Sequence, residues 1–189
     1  MIQNSGTPNL RNFPLLCAPS RLAVNSPHPG NHDTHKIKKA ISQHPLVSET
    51  TQIHPDKIRA YLATDYRLGH TDNDIILKIG KRSERLAVLF ASGGVDCGAF
   101  ITAYNPRGTT QSDEANNQAH AQLAREIEKL GLASIEGSGS EEGTDWPAEC
   151  SYFVLGLALE PAKAIGSHFD QDAIVWVGSD CLPQLILLR

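Results

Sequence analysis

No stretch of this 189-residue chain approaches the ~18 consecutive apolar residues of a membrane-spanning helix, so no membrane partner is expected. No C-x-x-C pair occurs among Cys17, Cys97, Cys150 and Cys181, which leaves no zinc ribbon and no dithiol motif. Scattered in this way, the four cysteines read as small buried thiols of a reduced, cytoplasmic protein. The net charge of −4 lacks the basic excess of a nucleic-acid-binding domain, so no nucleic acid is expected. The chain contains no G-x-S-x-G, no H-E-x-x-H, no Walker A loop and no complete G-x-G-x-x-G. No cofactor is therefore expected. The pair His32 and His35 has metal-like spacing but no second ligand group beside it, so no metal site is expected either. A signal peptide is not read at the N-terminus, because its apolar patch at 13–18 is short and broken by Pro14.

What is there reads as one soluble, globular unit with a tail. An apolar fraction of 40% and a charged fraction of 20% are those of a folded domain. Residues 1–52 differ from the rest. They hold Pro8, Pro14, Pro19, Pro27, Pro29 and Pro45 with many Asn, Ser and His, and no hydrophobic period is sustained. Such a stretch buries too little apolar surface to offset its ordering entropy, and a disordered tail is expected. Residues 53–189 are expected to form a single α+β domain.

The elements follow from periodicity and punctuation. Pro55 and Asp56 open a helix whose face is Ile58, Tyr61 and Leu62. Strands are expected at 66–68 and 75–79, joined as a hairpin. Ser83 caps a short helix that Gly93 and Gly94 end. The apolar strand 99–104 stops at Asn105-Pro106, because proline has no N–H for a ladder. Ser112 caps the longest helix, with Leu123, Ile127 and Leu130 along its apolar stripe. A strand at 133–136, a solvated Gly-rich acidic loop over 137–148, a strand at 151–157, a helix at 160–169 and strands at 173–178 and 182–188 complete the chain. The order α-β-β-α-β-α-β-β-α-β-β favours an α+β fold with a mostly antiparallel sheet and helices packed on it.

Four segments place polar groups at element ends, where ligand sites are common. The first is Thr102-Ala-Tyr-Asn105-Pro-Arg107-Gly, with an amide and a guanidinium in a row. Turn chemistry alone also accounts for it. The second is Asn116, on the inward stripe of the long helix, with Asn117 and His120 beside it. A buried Asn must find partners, whether the preceding loop or a ligand. The third is Glu149, a carboxylate at the edge of an apolar strand, with Trp146 placed to cover a pocket. The fourth is Gln171, between a helix and a core strand.

The succession TAYNPRG, SDEANNQAHAQL, W-P-A-E-C-S and FDQDAIVWVG resembles the bacterial family called domain of unknown function 3293, over roughly 54–189. The family's polar marks fall on Thr102, Asn105, Pro106, Asn116, Trp146, Glu149, Ser151 and Gln171. Trp146 and Glu149 stand one residue further apart than in the family pattern. The resemblance implies a shared site and no established activity.

Three functions are consistent with these residues. The first is a binding domain for a small polar ligand, nucleotide-like or amide-bearing, in a pocket built from the TAYNP loop with Thr102, Asn105, Arg107, Asn116, Ser151 and Gln171. The second is an enzyme using Glu149 as general acid or base there, with Arg107 holding an anionic group. The third is a protein-interaction module whose motifs are structural. The oligomeric state is left open.

Overall fold

The structure is a computed structural model, and it describes residues 51–71, 73–141, 143 and 146–189. The tail expected over 1–52 lies outside the described residues except for its last two positions.

Local capping sets the helices. The His54 Nδ1 accepts from the Asp56 N–H at the start of α1 (Pro55–Ala63). The Ser83 and Ser112 hydroxyls accept from Leu86 N–H and Ala115 N–H and open α2 (Glu84–Gly93) and α3 (Asp113–Lys129). Gly94, at φ 64°, ends α2 in the left-handed region that glycine tolerates. The fourth helix, α4 (Leu159–His168), has no side-chain cap.

Seven strands form one sheet. They are β1 (Asp65–Leu68), β2 (Ile75–Leu77), β3 (Gly98–Thr102), β4 (Ser134–Ser140), β5 (Glu149–Leu155), β6 (Ala173–Val177) and β7 (Pro183–Leu187). Their order is β2-β1-β4-β5-β3-β6-β7, and every neighbouring pair is antiparallel. The fold is α+β, with helices on both faces. Alternation along the strands decides which side chains meet which helices. Ala99, Ile101, Tyr152, Val154, Ile174 and Ile186 pack under α3 and α4 through Leu123, Ile127 and Ala162. Tyr66, Phe100, Phe153, Val175 and Val177 face the other way, against Leu86 and Phe90 of α2. Ile58 of α1 packs with Leu185 at the β7 end of that same face. Coverage on both faces explains why β5 reads as a continuous apolar run rather than as an alternating strand.

One expectation is corrected. The segment read as a loop from Gly137 is still strand as far as Ser140. Gly137 sits where a Cβ would lie 2.2 Å from the Arg67 carbonyl oxygen of β1. Only glycine lets the two backbones approach so closely, and its low strand propensity hides the strand in the sequence. Of the described thiols, Cys181 is free and buried and Cys97 is free and half-buried.

Candidate functional site

The chain leaves β3 at Thr102 and enters a turn that ordinary residues resist. Asn105 has φ 46°, Arg107 φ 57° and Gly108 φ 62°. For a non-glycine residue this region costs about 1–2 kcal/mol, and Asn bears it best. Proline at 106 blocks continuation of the strand. Such backbone persists only where its surroundings over-determine it. Here they do. The Asn105 N–H donates to Asn116 Oδ1 at 2.9 Å, Asn116 Nδ2 donates to Asn105 Oδ1 at 3.0 Å, and the Gln111 N–H donates to the same oxygen at 3.0 Å. The Arg107 N–H donates to the Asp170 carbonyl at 2.9 Å, and the Gly108 N–H to the Asn105 carbonyl at 2.8 Å.

This ring of bonds fixes both amides. A backbone N–H can only donate, so Oδ1 of Asn116 must face Asn105 N–H, and Oδ1 of Asn105 must face Gln111 N–H. The Asn105 Nδ2 is thereby turned to Glu149, whose Oε1 accepts from it at 2.8 Å. The Trp146 indole N–H donates to that same oxygen at 3.1 Å. No hydrogen bond among the described residues reaches Glu149 Oε2. Burial pushes the Glu149 carboxyl above the ordinary carboxylate range, and the two donors from Asn105 and Trp146 only partly counter it.

Gln171 is oriented by the same logic. Its Nε2 donates to the carbonyls of Tyr104, at 3.0 Å, and Phe169, at 3.2 Å. Carbonyls only accept, so the Gln171 Oε1 is turned away from them. Thr102 Oγ1 donates to the Cys150 carbonyl at 2.8 Å, and Ser151 Oγ donates to the Glu149 carbonyl at 3.1 Å.

A cavity of about 260 Å³ opens between α1 and the β1–β4–β5–β3–β6 face of the sheet. Thr102, Asn105, Glu149, Ser151 and Gln171 line it, and Trp146 stands at its rim, 43% exposed. Tyr66, Phe100, Val175 and Leu185 supply apolar wall. Gly139, opposite Glu149 in the β4–β5 ladder, leaves floor space that a side chain would fill.

Two residues named from the sequence do not line the cavity. Asn116 stands behind Asn105 and holds it, so its contact with the cavity is indirect. Arg107 Nη2 lies outward against Asp170 Oδ1 at 2.9 Å, with both side chains more than half exposed. Of the neighbours considered with Asn116, Asn117 accepts from the Tyr104 hydroxyl at 2.8 Å. His120 stacks on Tyr152, ring centroids 4.4 Å apart.

The opposite wall escaped the sequence reading. Lys57 and Tyr61 of α1, with Thr64 at its C-cap, line the cavity at i, i+4 and i+7. That spacing is one helix stripe and was the available signal. Asp172, 2% exposed, anchors this wall. Its Oδ2 lies 3.2 Å from Lys57 Nζ and accepts from the Tyr61 hydroxyl at 3.2 Å, and Arg189 Nε lies 2.8 Å from its Oδ1. Burial, and then Asp172, raise the Tyr61 phenol well above its ordinary range, so it stays a donor. Burial does the same to Tyr66, whose hydroxyl donates to the Tyr61 carbonyl at 2.8 Å.

Residues 101–174 match the family model described as protein of unknown function (DUF3293). The resemblance read from the sequence is thus shown over that segment. The DUF3293 segment carries every cavity residue named from the sequence, from Thr102 to Gln171, whereas α1 with Lys57 and Tyr61 lies before it. No curated protein and no solved structure matches the chain.

Among the described residues, no cluster of three or more His, Cys, Asp or Glu side chains has the arrangement of a metal site, and no helix is long and apolar enough to cross a membrane.

Proposed function

We propose that the domain over 53–189 binds one small metabolite in the cavity between α1 and the sheet. The observation that carries this reading is the Asn116–Asn105–Glu149 relay. It uses a strained backbone and two buried amides to hold one carboxylate oxygen, and the other has no hydrogen-bond partner among the described residues. A few oriented polar groups on an apolar cavity is the usual construction of a small-molecule site. The ligand is read as a small polar compound rather than a phosphate ester. Arg107 faces Asp170 outside the cavity, and Lys57 is already paired with Asp172, so the described cations are engaged elsewhere.

An enzymatic reading rests on one further fact. A carboxyl raised by burial is suited to proton transfer near neutral pH. In that case Glu149 is the acid or base, and Asn105 and Trp146 orient it. A thermal-shift screen of the full chain against small metabolites tests the binding reading, because a ligand of the folded state raises the melting temperature. At least one low-molecular-weight compound is expected to raise it. A library of amides, nucleobases and amines at millimolar concentration without a single shift contradicts the reading.

A further inference from the structure

The hydroxyls and amides around the cavity share one habit. Tyr61 donates to Asp172, Tyr66 to the Tyr61 carbonyl, Thr64 to the Ala60 carbonyl, Thr102 to the Cys150 carbonyl, and Ser151 to the Glu149 carbonyl. Gln171 spends both amide protons on the carbonyls of Tyr104 and Phe169, and the single Trp146 proton goes to Glu149. A hydroxyl that has donated its proton can only accept. What remains is therefore mostly acceptor: Glu149 Oε2, Gln171 Oε1, the lone pairs of Ser151, and the one lone pair of Thr102 that the Tyr104 N–H does not take. The exceptions are the second N–H of Asn105, one Lys57 proton and the Ser140 hydroxyl.

Charge points the same way. No Lys, Arg or His among the described residues pairs with Glu149. Lys57, which shares the cavity, is held by Asp172 and by the Arg107 carbonyl. A buried carboxylate without a cation is costly unless something supplies one. An anionic ligand would meet acceptors and like charge.

We propose that the ligand is a small organic cation, with an ammonium or amidinium head on Glu149 and Gln171 and an apolar or aromatic body on Tyr66, Phe100 and Val175. This rests on the reading of the cavity as a ligand site. An ammonium or amidinium head offers only N–H donors, which suit a carboxylate oxygen and an amide oxygen that can only accept. The face of Trp146 at the rim adds the ring quadrupole that attracts cations.

Three near-isosteric probes test it: benzamidine, cationic and all donor; benzamide, neutral and mixed; and benzoate, anionic and all acceptor. Each is titrated into the full chain labelled with ¹⁵N. The readout is the indole N–H of Trp146. Trp176 serves as control, since its indole N–H donates to the Leu157 carbonyl at 3.1 Å, away from the cavity. Benzamidine is expected to move the Trp146 resonance with at least tenfold higher affinity than benzamide, leaving Trp176 still, and benzoate is expected to do nothing. Glu149→Gln, which keeps an oxygen for Asn105 and Trp146 and presents an amide to the cavity, is expected to lower benzamidine affinity at least tenfold. It should change benzamide affinity less than threefold. Benzamide or benzoate binding as tightly as benzamidine to the wild-type chain overturns the cationic ligand and leaves the cavity reading standing. Silence of Trp146 toward all three at 10 mM overturns both. The wild-type comparison decides the question even if Glu149→Gln does not fold.

Discussion

Asn105 carries more of the local structure than any other residue of the TAYNP loop, and its replacement can be worked through. Asn105→Ala removes the acceptor of Gln111 N–H and Asn116 Nδ2, and the donor to Glu149. A lost hydrogen bond costs about 1 kcal/mol net, and a buried group left without a partner about 1–3 kcal/mol. Asn116 is buried and its Nδ2 is left without a partner, so about 2–3 kcal/mol is expected from polar terms. Alanine at φ 46° adds about 1 kcal/mol, since Asn tolerates that region better. The sum is about 3–4 kcal/mol. For a chain of 189 residues, about 2–4 °C per kcal/mol puts the fall in melting temperature near 10 °C. Asn105→Gly removes the same side chain but not the backbone freedom, and should recover about 1 kcal/mol. Urea unfolding followed by circular dichroism measures both. The reasoning fails if Asn105→Ala costs less than about 1 kcal/mol, or if the glycine variant is the less stable of the two.

Other perturbations separate the remaining parts of the account. Folding raises the Glu149 carboxyl above its ordinary value of 4.5, so the folded state holds its proton more tightly and loses stability as pH rises from that value through the folded one. Glu149→Gln should therefore gain on the wild type in urea titrations above that window and match it below. His120 is the reverse case. Burial lowers it from the ordinary 6.5, and its Nδ1 has no partner, so stability is full above 6.5 and declines as pH falls toward the folded value. His120→Phe, which can stack on Tyr152, should flatten that decline in melting curves between pH 7 and 5. Asp172→Asn leaves Lys57 and Arg189 without their carboxylate. About 1–3 kcal/mol is expected to be lost, since both cations are partly exposed, and faster amide exchange in α1 should accompany it. Arg107→Ala should leave ligand affinity unchanged, because its guanidinium faces Asp170.

The sequence showed the element order because caps, glycine stops and helical stripes are local signals. Ser83, Ser112 and Gly94 stand where those rules put them. It missed the end of β4, because Gly137 is chosen by a close backbone approach and not by strand propensity. In the candidate site, Asn105, Glu149 and Gln171 were legible as polar residues at element ends. Which way each amide faces was not, since that depends on carbonyls and N–H groups distant in sequence, such as Tyr104 to Gln171. Arg107 was named with the cavity residues, and its guanidinium pairs with Asp170, 63 residues away in sequence. The α1 wall was read only as a core stripe. Ile58 fits that reading, with Tyr61 and Leu62 packed beside it, while Lys57, Tyr61 and Thr64 also line the cavity.

The central claim is that the space between α1 and the sheet is where a ligand sits. Gly139 gives the most direct test, since a Cβ there meets only Thr64 at 3.6 Å and Tyr66 at 4.0 Å, ordinary contacts with cavity walls. Gly139→Val should fold and fill the floor beside Glu149. For any compound that raises the melting temperature of the wild-type chain, the account requires the shift to vanish in Gly139→Val. An undiminished shift in that variant would place the ligand elsewhere and contradict the account.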